Sequence, residues 1–180
     1  MMRIAVIGNS GGGKSTLARG LARELGLPYR EVDALLWEPG WILTPADIYG
    51  AEHDRLLAEE SWIIDGLGRL ESIPARLARA TRIILIDMPL WRHFSLAARR
   101  QLDWASGRLA HPPAGIAQMP DMDALFETIW TVDQEWMPEI RTMVAAEEAQ
   151  GKAVTRLGSP QELDGFQADC ALNWSSARRE

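Results

Sequence analysis

GNSGGGKST, residues 8–16, follows the apolar run Ile4-Ala5-Val6-Ile7 and leads into LARGLAREL, residues 17–25. Gly8, four further residues, Gly13, Lys14 and Ser15 fit the pattern G-x-x-x-x-G-K-[ST] without a mismatch. Glycines let the backbone take angles closed to other residues and bring its N–H groups close to anionic oxygens. A helix starting near Lys14 aims its partly positive N-terminus at the same anion. Lys14 is then placed to reach the β- and γ-phosphates of a nucleotide, and the Ser15 hydroxyl to ligate Mg2+. Gly8, Asn9, Ser10, Gly11, Gly12, Gly13, Lys14, Ser15 and Thr16 therefore form the expected phosphate-binding loop. An ordinary Gly-rich turn would share the glycines. Strand, Lys-Ser-Thr and helix in one register favour the phosphate reading.

The chain has 180 residues, enough for one domain, 1–180, with a sizeable core. A net charge of −6 argues against broad, nonspecific nucleic-acid binding, and no clear nucleic-acid signal is present. The single cysteine, Cys170, excludes an intramolecular disulfide and a Cys-based zinc finger, and it suits a reducing cytoplasm, the expected location. MMRIAVIGNS runs straight into a strand with no N-terminal signal. Apolar runs such as IILI, residues 83–86, are too short to span a bilayer. His53, His93 and His111 lack metal-ligand spacing and receive no role. The eight tryptophans, scattered along the chain, are expected to fill core or line a cleft.

Strands and helices alternate beyond the loop. Strands are expected at 3–8, 28–33, 61–66, 82–87 and 152–157. Leu17, Leu21 and Leu25 give the first helix an apolar stripe, and Gly26 ends it. Thr44 followed by Pro45 reads as the N-cap and first turn of a helix reaching about residue 60. A short helix at 73–80 precedes the fourth strand. Pro89 opens a long helix whose face is expected to carry Trp91, Phe94, Ala98, Leu102 and Ala105. Residues 107–120, with two glycines and three prolines, read as a loop, the core of a lid spanning roughly 99–121. Asp121 or Asp123 caps the next helix, which Pro138 should kink or divide. A short helix follows at 159–166, and the tail at 173–180 is expected to fray. Such alternation implies a parallel sheet with helices on both faces, a three-layer α/β/α arrangement, and ligands beyond the carboxyl ends of the strands.

Asp33, Asp65 and Asp87 each close a strand on that rim. Asp65 or Asp87 could orient Mg2+ beside Ser15; Asp65 is favoured because Gly66 follows it and Arg69 comes soon after, whereas Asp87 reads at least as well as a helix cap. Asp33, opposite the loop, could accept a proton from an acceptor hydroxyl or hold it, or could simply cap a helix at 34–37. Trp37 and Trp41 flank Pro39-Gly40, a turn, and either wall a substrate pocket or cover the sheet. Among the middle arginines, Arg76 included, most read as solvated surface. The pair Arg99–Arg100, heading toward the lid, is the exception, placed to stabilise a transferring phosphoryl group.

GNSGGGKSTLAR, LPYREVDALLWEPGW, SWIIDG, RIILIDMP and GKAVTRLGSPQEL together cover most of residues 3–166. In this order they resemble the adenylate-kinase-related P-loop kinases, and within them the small DNA topology modulation proteins. The resemblance implies five parallel strands of order 2-3-1-4-5, ATP as donor, and a mobile lid after the fourth strand. It places Asp33 at the acidic position facing the acceptor and Asp65 in the Asp-Gly motif ending strand three. It sets Gly158 and Ser159 in the loop that touches the adenine. Two positions depart from its pattern: Leu67 stands where Asn is expected, and residues 106–120 carry only Arg108.

The expectation is a kinase dependent on Mg2+ and ATP that phosphorylates a small molecule, a nucleotide or nucleoside by analogy. The acceptor would lie between Asp33, Trp37, Trp41 and Arg69. The alternative is an ATP-binding regulator or switch with weak hydrolysis. Asp65-Gly66-Leu67-Gly68 matches the D-x-x-G of GTPases, but Asn9 and Asn173, the only asparagines, leave no N-K-x-D. The sequence sets no oligomeric state.

Overall fold

The computed structural model describes residues 1–109 and 120–173. Five strands make one sheet: β1 (Arg3–Gly8), β2 (Tyr29–Glu31), β5 (Trp62–Asp65), β6 (Arg82–Ile86) and β7 (Ala153–Leu157). All pair in parallel, in the order β2-β5-β1-β6-β7. Counted along the chain, that is the expected 2-3-1-4-5. A separate hairpin joins β3 (Trp37–Glu38) and β4 (Ile42–Leu43).

Apart from Arg3, Asp65 and Arg82 at their ends, the central strands are apolar because helices cover both faces, and their side chains alternate between two cores. Ala5, Ile7, Trp62, Ile64, Ile83 and Leu85 pack toward α4 (Ile73–Arg79) and α7 (Met137–Ala149). Ile4, Val6, Ile63, Ile84 and Ile86 pack toward α1 (Lys14–Leu25) and α8 (Pro160–Asn173). The Leu17, Leu21, Leu25 stripe is buried as expected, and Gly26 closes α1 at φ 59°. Helix α8 runs well past the expected short helix because Leu163, Phe166 and Cys170, spaced for one face, pack into that second core.

Four further helices complete the fold: α2 (Asp33–Leu36), α3 (Ala46–Ala58), α5 (Leu90–Ala105) and α6 (Met122–Thr131). Asp121 caps α6 by accepting from the N–H groups of Asp123 and Ala124. A π-helical turn, Val132–Trp136, divides α6 from α7, and Pro138 sits in the first turn of α7, where a missing N–H is harmless. The centre of the expected lid, His111 and the terminal tail lie outside the described residues.

Two helices differ from expectation. Pro45, not Thr44, occupies the N-cap of α3, and no side chain caps it. The expected apolar face of α5 is only partly covered: Phe94 and Ala98 are half-buried, Phe94 packing edge to face on Phe126 at 5.2 Å, whereas Trp91 is 59% exposed, Leu102 is 67% exposed and Ala105 is exposed. Its buried line is His93, Ala97 and Gln101, because α5 packs on the polar phosphate loop and not on a purely apolar sheet.

Gly8 ends β1 at φ 149°, where an added Cβ would lie 2.2 Å from the Ile86 carbonyl oxygen. Both the angle and the backbone neighbour forbid a side chain. Gly8→Ala is expected to cost more than about 2 kcal/mol of stability. Urea unfolding measures this, and an unchanged midpoint would mean that the strand end tolerates a shift.

Candidate active-site cleft

The loop at residues 8–16, the expected phosphate loop, is held from three sides. Lys14 Nζ donates to the Asn9 carbonyl oxygen (2.9 Å), so the buried ammonium folds back across its own loop. Asn9 Oδ1 accepts from the Ser10 N–H (2.7 Å), and its Nδ2 donates to the Ile129 carbonyl oxygen of α6 (2.8 Å). His93 Nδ1, from α5, lies 2.8 Å from the Ser10 carbonyl oxygen and so carries the hydrogen. Burial holds His93 below its ordinary pKa, which keeps the ring neutral. Both anchors come from helices far away in sequence, which is why a local reading passes over them.

Asp65 ends β5 directly beneath the loop and is 1% exposed. Its Oδ1 lies 3.4 Å from Ser15 Oγ, and its Oδ2 accepts from the Tyr29 hydroxyl (2.8 Å). Burial pushes its pKa up to about 6, against the opposing pull of Lys14 and the Tyr29 hydrogen bond. The Tyr29 hydroxyl is itself raised well above its usual range, by burial first and by Asp65 next. Ser15 and Asp65 are a hydroxyl and a carboxylate side by side, a donor set suited to a hard cation such as Mg2+.

A carboxyl whose pKa is higher in the folded than in the unfolded chain stabilises the fold only while protonated. For Asp65 that contribution disappears as pH rises from its ordinary value through about 6. The two-unit difference corresponds to about 3 kcal/mol lost by pH 7.5. Asp65→Asn, free of this ionisation, is expected to raise the melting temperature at pH 7.5 and to gain progressively less toward pH 4. A gain that is independent of pH would rule out ionisation as its source.

Asp33 begins α2, with Val32 as the N-cap. Its Oδ1 accepts from the Gly68 N–H (2.9 Å), across to the segment that follows β5. Gly66 in that segment, at φ 106°, has no room for a Cβ, which would meet Asp33 Oδ2 at 2.8 Å. Arg69 donates through Nη2 to the Thr44 carbonyl oxygen (2.6 Å), and its guanidinium lies 5.7 Å from the Tyr49 ring centroid. Trp37 and Trp41 meet edge to face at 5.6 Å on the small hairpin. Trp41 holds φ 60°, a left-handed angle unusual for a bulky residue.

These groups open on one cleft of about 1000 Å3. Ser10 through Thr16 line one part of it, and Asp33, Trp37, Trp41 and Arg69 another. Arg99 and Arg100 reach it from the exposed end of α5, and Trp136 from the π-helical turn. Asp65 lies below the floor through Ser15. Asp87 stands apart: Arg141 of α7 grips both its carboxylate oxygens, at 2.9 and 2.7 Å. Gly158 and Ser159 are outside the lining and serve the start of α8. There the Gly158 N–H donates to Glu162 Oε2, and the Glu162 N–H donates to Ser159 Oγ.

No protein-family model matches the chain, and comparison with curated proteins returns no match. Among solved structures it is similar to a gluconokinase from Sinorhizobium meliloti 1021, with 21% identity, a TM-score of 0.51, and coverage of 98% of this chain and 97% of that one. It is also similar to a shikimate kinase from Acinetobacter baumannii, solved in complex with shikimate, with 14% identity, a TM-score of 0.61, and coverage of 98% and 94%. Neither neighbour concerns DNA topology, and the narrower likeness read from the sequence stays a resemblance. At these identities the shared property is architecture: the chain has the three-layer α/β/α fold of P-loop kinases, with a five-stranded parallel sheet.

Proposed function

We infer that the protein is a kinase that passes the γ-phosphoryl group of ATP to a small acceptor, a nucleotide or nucleoside above other classes. One observation carries this reading: a phosphate loop and the carboxylate of Asp33, set on separate elements, open on the same cleft. At about 1000 Å3 the cleft is at the upper end for small-molecule sites, with room for a nucleotide and a second molecule. Kinase neighbours on the same fold support it, and Trp37 and Trp41 supply flat apolar walls suited to a ring.

In this reading the loop N–H groups and Lys14 hold the β- and γ-phosphates, while Arg99 and Arg100 offset charge on the moving group. The acceptor oxygen forms a bond to the γ-phosphorus as the bond to the bridging β,γ oxygen breaks, and ADP leaves. An acceptor hydroxyl gives its proton to Asp33. Arg69 holds the far side of the acceptor. Ser15 and Asp65 would hold Mg2+ together with phosphate oxygens. When bound, the ion offsets phosphate charge. Gly158 and Ser159 remain candidates to approach the adenine from the loop before α8. No helix among the described residues is long and apolar enough to cross a membrane.

The test is ADP release from Mg·ATP across nucleoside monophosphates, nucleosides and small hydroxy acids, with mass detection of product. An acceptor that accelerates release and gains a phosphoryl group establishes the reading. Slow release independent of every acceptor would replace it with the ATP-binding regulator.

A further inference from the structure

Arg76, on α4, is 1% exposed although the sequence around it reads as ordinary helix surface. Among the described residues no carboxylate lies within ion-pair distance of it, and its Nη1 has no hydrogen-bond partner. The charges of Asp33 and Asp65 reach it only from beyond ion-pair distance. Burying a guanidinium without a carboxylate in contact is expensive, and an apolar side chain of similar length would fill the place more cheaply. A structural need for volume therefore does not account for it.

Its hydrogen bond does. Nη2 donates to the Leu67 carbonyl oxygen at 2.9 Å. That carbonyl and the Gly68 N–H belong to a single planar trans peptide, so the two point in opposite directions. The Gly68 N–H is the group that donates to Asp33 Oδ1 at 2.9 Å. One peptide plane is thus clamped between a buried cation and the carboxylate of the cleft, and the cation polarises the amide toward a stronger donor. Gly68 makes the arrangement possible: at φ 62° it passes the Tyr49 hydroxyl, which any Cβ would strike.

We propose that Arg76 is a positioning residue, which fixes the Asp33 carboxylate through the Leu67–Gly68 peptide without touching a ligand. This rests on the kinase reading for its consequence, but not for its geometry. The test compares Arg76→Met and Arg76→Lys with wild type in three readouts. The first is the Gly68 amide in NMR spectra of the labelled full chain. The second is Mg·ADP affinity by calorimetry. The third is steady-state transfer from Mg·ATP to the fastest nucleoside monophosphate or nucleoside of the panel.

Arg76→Met is expected to move the Gly68 proton upfield and speed its exchange roughly tenfold. With a nucleoside acceptor its kcat is expected to fall about 10- to 100-fold, and with a nucleoside monophosphate the acceptor's KM is expected to rise by about that factor, in either case with the KM for Mg·ATP and the Mg·ADP affinity within about twofold of wild type. Arg76→Lys, which keeps a charged donor, should recover much of both effects. A Gly68 amide unchanged in folded Arg76→Met overturns the proposal. So does failure of both variants to fold, which would assign Arg76 to stability alone. If wild type phosphorylates nothing, the kinase reading fails while the Gly68 result still decides the clamp.

Discussion

Lys14→Ala is expected to lower acceptor-dependent ADP release by about a thousandfold or more while the fold persists. In the structure the ammonium bonds the Asn9 carbonyl oxygen and is almost fully buried. A triphosphate on the loop offers phosphate oxygens in place of that carbonyl, so a side-chain rotation exchanges a neutral acceptor for a charged one. The charged acceptor adds a Coulomb attraction to the ammonium that the carbonyl oxygen lacks. The largest gain falls where negative charge shifts during transfer. Removing the amine leaves the Asn9 carbonyl unpaired, at a cost of about 1–3 kcal/mol. The side-chain bonds of Asn9 to Ser10 and Ile129 survive, so the loop keeps its course. Steady-state kinetics beside a thermal melt separate the two effects. Full turnover in a folded Lys14→Ala would remove the loop from the chemistry.

The fold was legible where local pattern and tertiary demand coincide. Short runs such as IILI and WIID, separated by helical stretches, leave a parallel sheet as the simplest burial for all of them, and β1, β5 and β6 follow. The nearness of residues 8–16 to Asp65 was legible for a related reason: the strand ends place both on one rim, and Ser15 lies beside Asp65. Reading failed where a helix packs on something polar. The spacing of Trp91, Phe94, Ala98, Leu102 and Ala105 put all five on one face of α5. The helix instead sits on the expected phosphate loop, where His93 finds the Ser10 carbonyl, and Trp91 and Leu102 of that face lie exposed. Arg76 shows the same limit, since nothing near it in sequence signals that Leu67 will present a carbonyl to it. Asp87 was undecided between metal and cap, and its actual partner, Arg141, lies 54 positions away. Long-range polar contacts are set by topology, which single-chain periodicity does not encode.

Asp33→Asn separates chemistry from scaffolding because asparagine keeps an oxygen for the Gly68 N–H and loses only charge and basicity. The cleft should keep its shape, and Mg·ATP affinity should stay within about twofold, since the phosphate loop is a different part of the wall. With a nucleoside acceptor, whose hydroxyl must lose a proton, kcat is expected to fall about 10²- to 10⁴-fold. With a nucleoside monophosphate the accepting oxygen is already ionised. Asp33 then serves only to orient, and the loss should move into the acceptor's KM with kcat largely kept. Asp33→Ala removes the Gly68 acceptor too, and is expected to add a positional loss for either acceptor. The pair of variants thus reads the acceptor's chemistry from the enzyme side. Loss of Mg·ATP binding in a folded Asp33→Asn would contradict the division of the cleft, because it would place Asp33 against the donor.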